Sequence, residues 1–217
     1  MFFDNRRHAG QELAVRLLEW AGDRDLTGTL VLALPRGGVP VAAEVAGALH
    51  IPLDVLVARK IGVPGNPDLG IGAIVGDDPP VFDRLALQAM HLSEDKLGPE
   101  IARERLELHR RERLYRKGRP APRVAGRSVL LVDDGLATGV TARAALRHLR
   151  RQDPARLVLA VPVGAPDTVD AMRTEADDVI CLHQPRNLAS VGRWYADFEQ
   201  VSDGEVTAAL HGVRPAT

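Results

Sequence analysis

The chain has one cysteine, Cys181, in 217 residues. A lone cysteine excludes an internal disulfide and fits a reducing compartment. Charge of one sign is also missing: 28 Lys and Arg face 29 Asp and Glu, for a formal net charge of -1. No global field therefore draws the chain to nucleic acid or to a membrane surface. No apolar run approaches the ~20 residues of a membrane span. The opening Met-Phe-Phe-Asp-Asn-Arg-Arg-His has no signal-peptide hydrophobic region. The expectation is a cytoplasmic protein. Seven histidines are scattered with no second ligand at metal spacing, which argues against zinc. There is no internal repeat and no low-complexity segment. Lysine occurs only at 60, 96 and 117.

At this length a full core can be buried, and one α/β domain with an embellishment is the default. Residues 8–22 read as an amphipathic helix. Thr29 to Leu34 reads as a strand, followed by a helix through Val41, Val45 and Leu49. His50-Ile51-Pro52 breaks that helix, and Leu53 to Ala58 reads as the next strand. Residues 60–80, rich in Gly, Pro and Asp, read as a mobile loop around one strand, Ile71 to Val75. Residues 83–117 read as a long helical stretch interrupted near Gly98-Pro99. Strands follow at Val129 to Val132, Leu157 to Val163 and Val179 to Leu182. Helices are expected over about 139–152, 166–176 and 203–211. Alternation of strands and helices predicts a mostly parallel sheet with helices on both faces.

Within this pattern Val129-Leu130-Leu131-Val132-Asp133-Asp134-Gly135-Leu136-Ala137-Thr138-Gly139-Val140-Thr141 carries the most information. Four apolar residues suit a strand covered on both faces. Two adjacent carboxylates at its end cannot help packing, and the carboxyl edge is where open α/β sheets bind ligands. The Ala-Thr-Gly-Val-Thr turn then offers N–H groups and hydroxyls where a helix dipole begins, which suits a phosphate. Acceptors for sugar hydroxyls beside donors for a phosphate describe a ribose 5-phosphate site.

Pro35-Arg36-Gly37-Gly38 also joins a strand to a helix. Its glycines allow close backbone approach, and its N–H groups and Arg36 suit an anion. Alone, it reads equally as a turn with an exposed arginine. Arg59-Lys60 places two cations after the second strand, either beside an anion or as solvated charge.

The 129–141 segment resembles the phosphoribosyl pyrophosphate (PRPP) signature of type I phosphoribosyltransferases: a hydrophobic strand, two acids, three variable positions and Thr-Gly-x-Thr. Asp133, Asp134, Thr138, Gly139 and Thr141 match it. Phe3-Asp4-Asn5-Arg6, Ala9-Gly10 and Val191 to Phe198 look like the ends of a group of small bacterial and archaeal members without an assigned base. The resemblance implies one phosphoribosyltransferase domain over 1–217. It has a mobile loop plus helical insertion at 60–120, with Gly62 to Gly70 as lid, and a hood from the termini that includes 183–217. It implies Mg²⁺ as cofactor, carried by the substrate, with Asp133 or Asp134 as the residues that would reach it through water. Asp133, Asp134, Arg59 and Lys60 take the catalytic roles. Ala137, Thr138, Gly139, Val140 and Thr141 bind the 5-phosphate. Arg36, Gly37 and Gly38 form the pyrophosphate loop, which in the family often contains a non-proline cis peptide. Arg186, Trp194 and Asp197 are hood candidates for contact with the base.

The implied reaction transfers the 5-phosphoribosyl group from PRPP to a purine or pyrimidine base, with a homodimer expected. The alternative is a regulatory protein that senses PRPP or a nucleotide without turnover. Family members acting on 6-oxopurines usually carry Asp immediately before Thr-Gly; here that position is Ala137, as is common in the adenine and orotate enzymes. Against this, Val191-Gly192 followed by an aromatic and an Asp is loosely similar to the base-binding tail of 6-oxopurine enzymes. Trp194, Tyr195 and Phe198 either stack on a base or pack the terminal segment onto the core. The basic stretch 103–119 reads as a solvated helix face, with an RNA patch, a dimer contact or packing beside the mobile loop as alternatives; it lacks an aromatic series to stack bases. Cys181, inside an apolar strand, reads as a buried inert thiol.

Overall fold

A computed structural model describes residues 2–212. The side chains of Pro67 and Asp68, within the expected lid, and residues 213–217 of the expected hood lie outside the described residues. Five parallel strands form the main sheet in the order β2-β1-β6-β7-β8. These are β1 (Leu30–Ala33), β2 (Leu53–Val55), β6 (Ser128–Val132), β7 (Arg156–Val163) and β8 (Asp178–His183). Continuous apolar runs form them because both faces are covered. Val31, Ala33, Leu130, Val132, Val158 and Ala160 join one buried cluster with α1 (Arg6–Ala21) and α2 (Gly38–Leu49). The alternating residues Leu30, Leu32, Val129, Leu131, Leu157 and Leu159 join a second with α5 (Val140–Arg150) and α6 (Pro166–Met172).

From β1 the chain moves outward to β2; from β6 it moves the other way through β7 and β8. The direction reverses between β1 and β6, and such a switch point leaves a crevice beyond the strand ends. Ala33 is in register with Val132, and the Leu34 amide donates to the Val132 carbonyl at 2.9 Å. The loops after β1 and β6 therefore leave the sheet side by side.

Two expectations are corrected here. Residues 60–80 do not form a loop around one strand. β3 (Ala58–Val63), β4 (Asn66–Val75) and β5 (Val81–Phe82) make a separate three-stranded antiparallel sheet. Leu53 to Ala58 is likewise divided, since β2 ends at Val55 and β3 begins in the other sheet. The glycines misled because only some of them serve turns: Gly65, at φ +79°, between β3 and β4, and Gly76, at φ +51°, after β4. Gly70 and Gly72 lie within β4, where a side chain would collide with the Lys60 chain and with the Phe82 ring respectively. In a strand, glycine marks such close approach as readily as a turn.

Nor does Gly98-Pro99 interrupt a helix. The break lies between α3 (Arg84–Ala89) and a 3₁₀ turn at Glu94–Leu97, and Pro99 sits in the first turn of α4 (Gly98–Arg116). A proline there loses no helical hydrogen bond, because that N–H has no partner anyway. The basic face of α4 is mostly committed within the protein. Arg110 and Arg111 pair with Glu107, Arg116 with Glu112, and Arg105 donates to the carbonyls of Gly76 and Asp78. The last helix, α7 (Asp203–Gly212), packs on α2 and α4. Among the described residues no helix is long and apolar enough to cross a membrane.

Candidate active site

Both loops at the switch point open helices whose N-caps are glycine. Gly37 precedes α2 and Gly139 precedes α5, and neither helix start receives a side-chain cap. Elsewhere α1 is capped by Asn5 and α3 by Asp83, while α2, α4 and α6 all carry proline in their first turns. Uncapped first-turn amides at the positive end of a helix dipole make the start of α5 an anion site; at α2 the Gly38 amide already donates to the Leu34 carbonyl at 3.0 Å and the Val39 amide to the Arg36 carbonyl at 3.1 Å. Gly139 is required twice over: its φ is +70°, and a Cβ there would lie 2.5 Å from the Thr168 methyl carbon. The loop is held from below, since the Leu136 amide donates to the Val163 carbonyl at 2.8 Å and the Thr168 hydroxyl to the Ala137 carbonyl at 2.7 Å. Ala137 and Thr138 are exposed, Gly139 and Val140 are buried, and Thr141 is half-buried.

Asp133 and Asp134 end β6 as expected. The Asp134 amide donates to Asp133 Oδ1 at 2.9 Å. Burial pushes the Asp133 carboxyl well above the usual carboxylate range, and the neighbouring Asp134 adds to it. Burial raises Asp134 too, while Arg6 opposes the shift. Arg6 Nε donates to Asp134 Oδ2 at 2.8 Å. The Tyr195 hydroxyl donates to the Asp134 carbonyl at 2.6 Å. Two repelling carboxylates largely withdrawn from water are costly to keep, and no demand of packing explains them.

The loop after β1 lies directly against this pair. The Pro35–Arg36 peptide is cis, as the resemblance implied for this position. A side chain on Gly37 would overlap Asp134 Oδ2, and one on Gly38 would lie 2.8 Å from the Val132 carbonyl and 3.1 Å from Asp133 Oδ1. Arg36 reaches toward α7, where its Nη1 stands 3.8 Å from Asp203 Oδ1. Asp203 also accepts from the Tyr115 hydroxyl at 2.5 Å and from Arg110 at 3.2 Å.

Arg59 and Lys60 are not together at one edge. As neighbours on strand β3 they project to opposite faces. Arg59 is clamped by Glu104 of α4, with Nε and Nη2 2.9 and 2.6 Å from Oε2. Lys60 is exposed and its stem crosses Gly70.

Of the hood candidates, Trp194 stacks on Phe2 at 4.1 Å between ring centroids, Asp197 accepts from the Glu199 amide at 3.0 Å, and Arg186 is exposed on the segment after β8. Tyr195 is buried against Phe3, and Phe198 lies under the Arg6 guanidinium. Tyr195 and Phe198 thus follow the packing alternative. The Cys181 thiol, which donates to the His183 carbonyl at 3.2 Å, is pushed up to about 12 by burial, as an inert thiol should be.

Sequence reasoning missed Arg6, Gly135 and Asp203 as parts of this region. Gly135 admits Val191, whose methyl would stand 2.6 Å from a Cβ there. These contacts join the two chain ends to the centre and leave no local pattern. Two surface concavities, about 490 and 470 Å³, lie elsewhere: one lined by Trp20 and β8, the other by Pro64, Gly65 and α4. Chemistry rather than enclosed volume marks the crevice.

The family model described as "Phosphoribosyl transferase domain" matches residues 7–193. The chain belongs to the phosphoribosyltransferase family. A curated Mycobacterium tuberculosis protein, provisionally named a phosphoribosyl transferase, is 44% identical over 208 residues, covering 96% of this chain and 46% of that protein. The chain spans about half the length of the curated relatives it matches. The solved structure of TT1426 from Thermus thermophilus is 42% identical, with TM-score 0.76, covering 97% of this chain and 98% of that one. The AQ2163 protein from Aquifex aeolicus shares the fold at 12% identity and TM-score 0.53, covering 88% of this chain and 85% of that one. The five-stranded parallel sheet and its switch point are those of the type I phosphoribosyltransferase fold.

Proposed function

We propose that the crevice between β1 and β6 binds PRPP and transfers its 5-phosphoribosyl group to a nitrogenous base with release of pyrophosphate. The observation that carries this reading is the meeting of a half-buried acid pair, the uncapped start of α5 and the glycine loop packed against that pair at one switch point. The amides of Thr138 to Thr141 and the threonine hydroxyls hold the 5-phosphate. Asp133 and Asp134 accept from the ribose hydroxyls and favour positive charge developing on the ring. Arg36 and the Gly37 amide take the pyrophosphate, with Lys60 brought from β3; the Gly38 amide is spent on the Leu34 carbonyl, and Gly38 serves by letting the loop lie against Asp133. Arg59, held by Glu104, anchors that second sheet.

Two carboxylates, one already bonded to Arg6, fit Mg²⁺, which keeps its waters and binds substrate phosphates rather than a protein cage. Bound Mg²⁺ would neutralise charge on the leaving pyrophosphate. The methyl of Ala137 offers no proton to a base, which favours adenine-like or orotate-like substrates over 6-oxopurines. Trp194 remains our candidate for the base side of the crevice. The reading carries with it a cytoplasmic homodimer in nucleotide metabolism, open to sedimentation and fractionation.

The deciding experiment measures pyrophosphate release from PRPP and Mg²⁺ across a panel of purine and pyrimidine bases. Base-dependent release is expected. PRPP binding without release for any base would favour the sensing protein, and absence of binding would reject both readings.

A further inference from the structure

Arg6 sits at the first position of α1. A cation there opposes the positive end of the helix dipole, so helix stability does not explain it. Its side chain is 11% exposed and is held in three ways. Nε donates to Asp134 Oδ2 at 2.8 Å, Nη1 donates to the Glu199 carbonyl at 2.7 Å, and the guanidinium carbon lies 3.7 Å from the Phe198 ring centroid. The last two contacts come from the C-terminal tail, whose Tyr195 also bridges to Phe3 and bonds the Asp134 carbonyl.

Among the described residues, Arg6 is the cation in hydrogen-bond contact with the acid pair. The oxygen it holds is the one lying against Gly37 of the neighbouring loop. One guanidinium thus ties together the chain's start, its tail, the acid pair and the loop after β1.

We propose that Arg6 is a positioning residue for Asp134: it fixes the carboxylate for the ribose hydroxyls, and does so only when the N-terminal segment and the tail are seated on each other. This inference rests on the reading of Asp133 and Asp134 as the ribose site. A side chain of fixed planar geometry suits the task, because a carboxylate fixed before binding need not be ordered by the ligand. Lysine keeps the charge but loses the fork and the stacking on Phe198.

The test is calorimetric PRPP affinity with Mg²⁺ for the wild-type protein, Arg6→Gln, Arg6→Lys, Asp134→Asn and the Arg6→Gln/Asp134→Asn double variant. Melting curves keep every measurement on folded protein. Arg6→Gln should weaken PRPP by at least about tenfold, or ~1.4 kcal/mol, and Arg6→Lys should recover part of the loss. The double variant should bind no more weakly than Asp134→Asn alone, because Arg6 acts through Asp134. Unchanged affinity in Arg6→Gln, or losses that multiply in the double variant, would overturn the inference while leaving the proposed function standing. A merely structural arginine would lower the melting temperature in both single variants without moving the affinity of the folded protein. If Arg6→Gln does not fold, Arg6→Lys decides, with weakened binding in support and wild-type affinity against. No PRPP binding by the wild-type protein would overturn both readings.

Discussion

Asp133 has no cation bonded to it among the described residues, and burial beside Asp134 favours its protonated form. A raised pKa in the folded state means that the fold is favoured fully below the unfolded value of about 3.8, and that this advantage is lost as pH climbs toward the folded value. Asparagine cannot ionise and keeps the oxygen that accepts from the Asp134 amide. Asp133→Asn should therefore melt higher than wild type at pH 7, and the difference should vanish only well below pH 3.8. Paired melts across that range check this. Gly37 makes the opposite case, where nothing can be added. A methyl on it would overlap an oxygen already held by Arg6. Gly37→Ala should cost roughly 1–3 kcal/mol, as overpacked sites do, and should weaken PRPP binding as well. Thermal unfolding and calorimetry read the two losses separately.

The second sheet is an element whose position depends on α4. Glu104 is 8% exposed and clamps Arg59 of β3, while Arg105 fastens the turn after β4. Asp78 in that turn also accepts from Arg151 and faces His148 of α5 at 2.5 Å. Glu104→Ala leaves a half-buried guanidinium without its partner and should cost about 2 kcal/mol or more, seen as a lower denaturant midpoint. On the outer face of the same helix, Arg110, more than the opposing burial, and Arg111 hold the Glu107 carboxyl down at about 2, from 4.5. A depressed carboxylate stabilises above its unfolded pKa and ceases to as pH falls through its folded pKa. With solvent screening, Glu107→Gln should cost on the order of 1 kcal/mol at pH 7. That gap should narrow as pH drops from 4.5 toward about 2.

At the scale of the molecule, the acid pair is where three separate stretches meet. The sheet supplies the carboxylates, and Arg6 and Tyr195 bring the two chain ends to Asp134. Replacing both acids should then separate function from fold. Asp133→Asn with Asp134→Asn should abolish PRPP binding in calorimetry while leaving the far-ultraviolet circular dichroism unchanged. Unaltered affinity would remove these residues from the proposed site.

The sequence by itself determined the α/β alternation, the strands of the main sheet and the strand-acid-loop-helix unit at 129–141. Each is written in short-range terms: apolar runs for doubly covered strands, glycine where φ is positive, and carboxylates that packing cannot use. The tertiary structure alone decided what crosses the chain. The glycines at 70 and 72 were legible as glycines, but not as strand positions beneath Lys60 and Phe82. Arg59 and Lys60 were adjacent in sequence, yet strand geometry and Glu104 set them apart. Arg6 and Asp134 are 128 residues apart, and no local pattern encodes their bond. Such a contact exists only once the sheet order has placed β6 beside β1 and folded both chain ends over the same crevice. Local propensity extends over a few turns of chain, whereas an ion pair depends on the whole path between its partners.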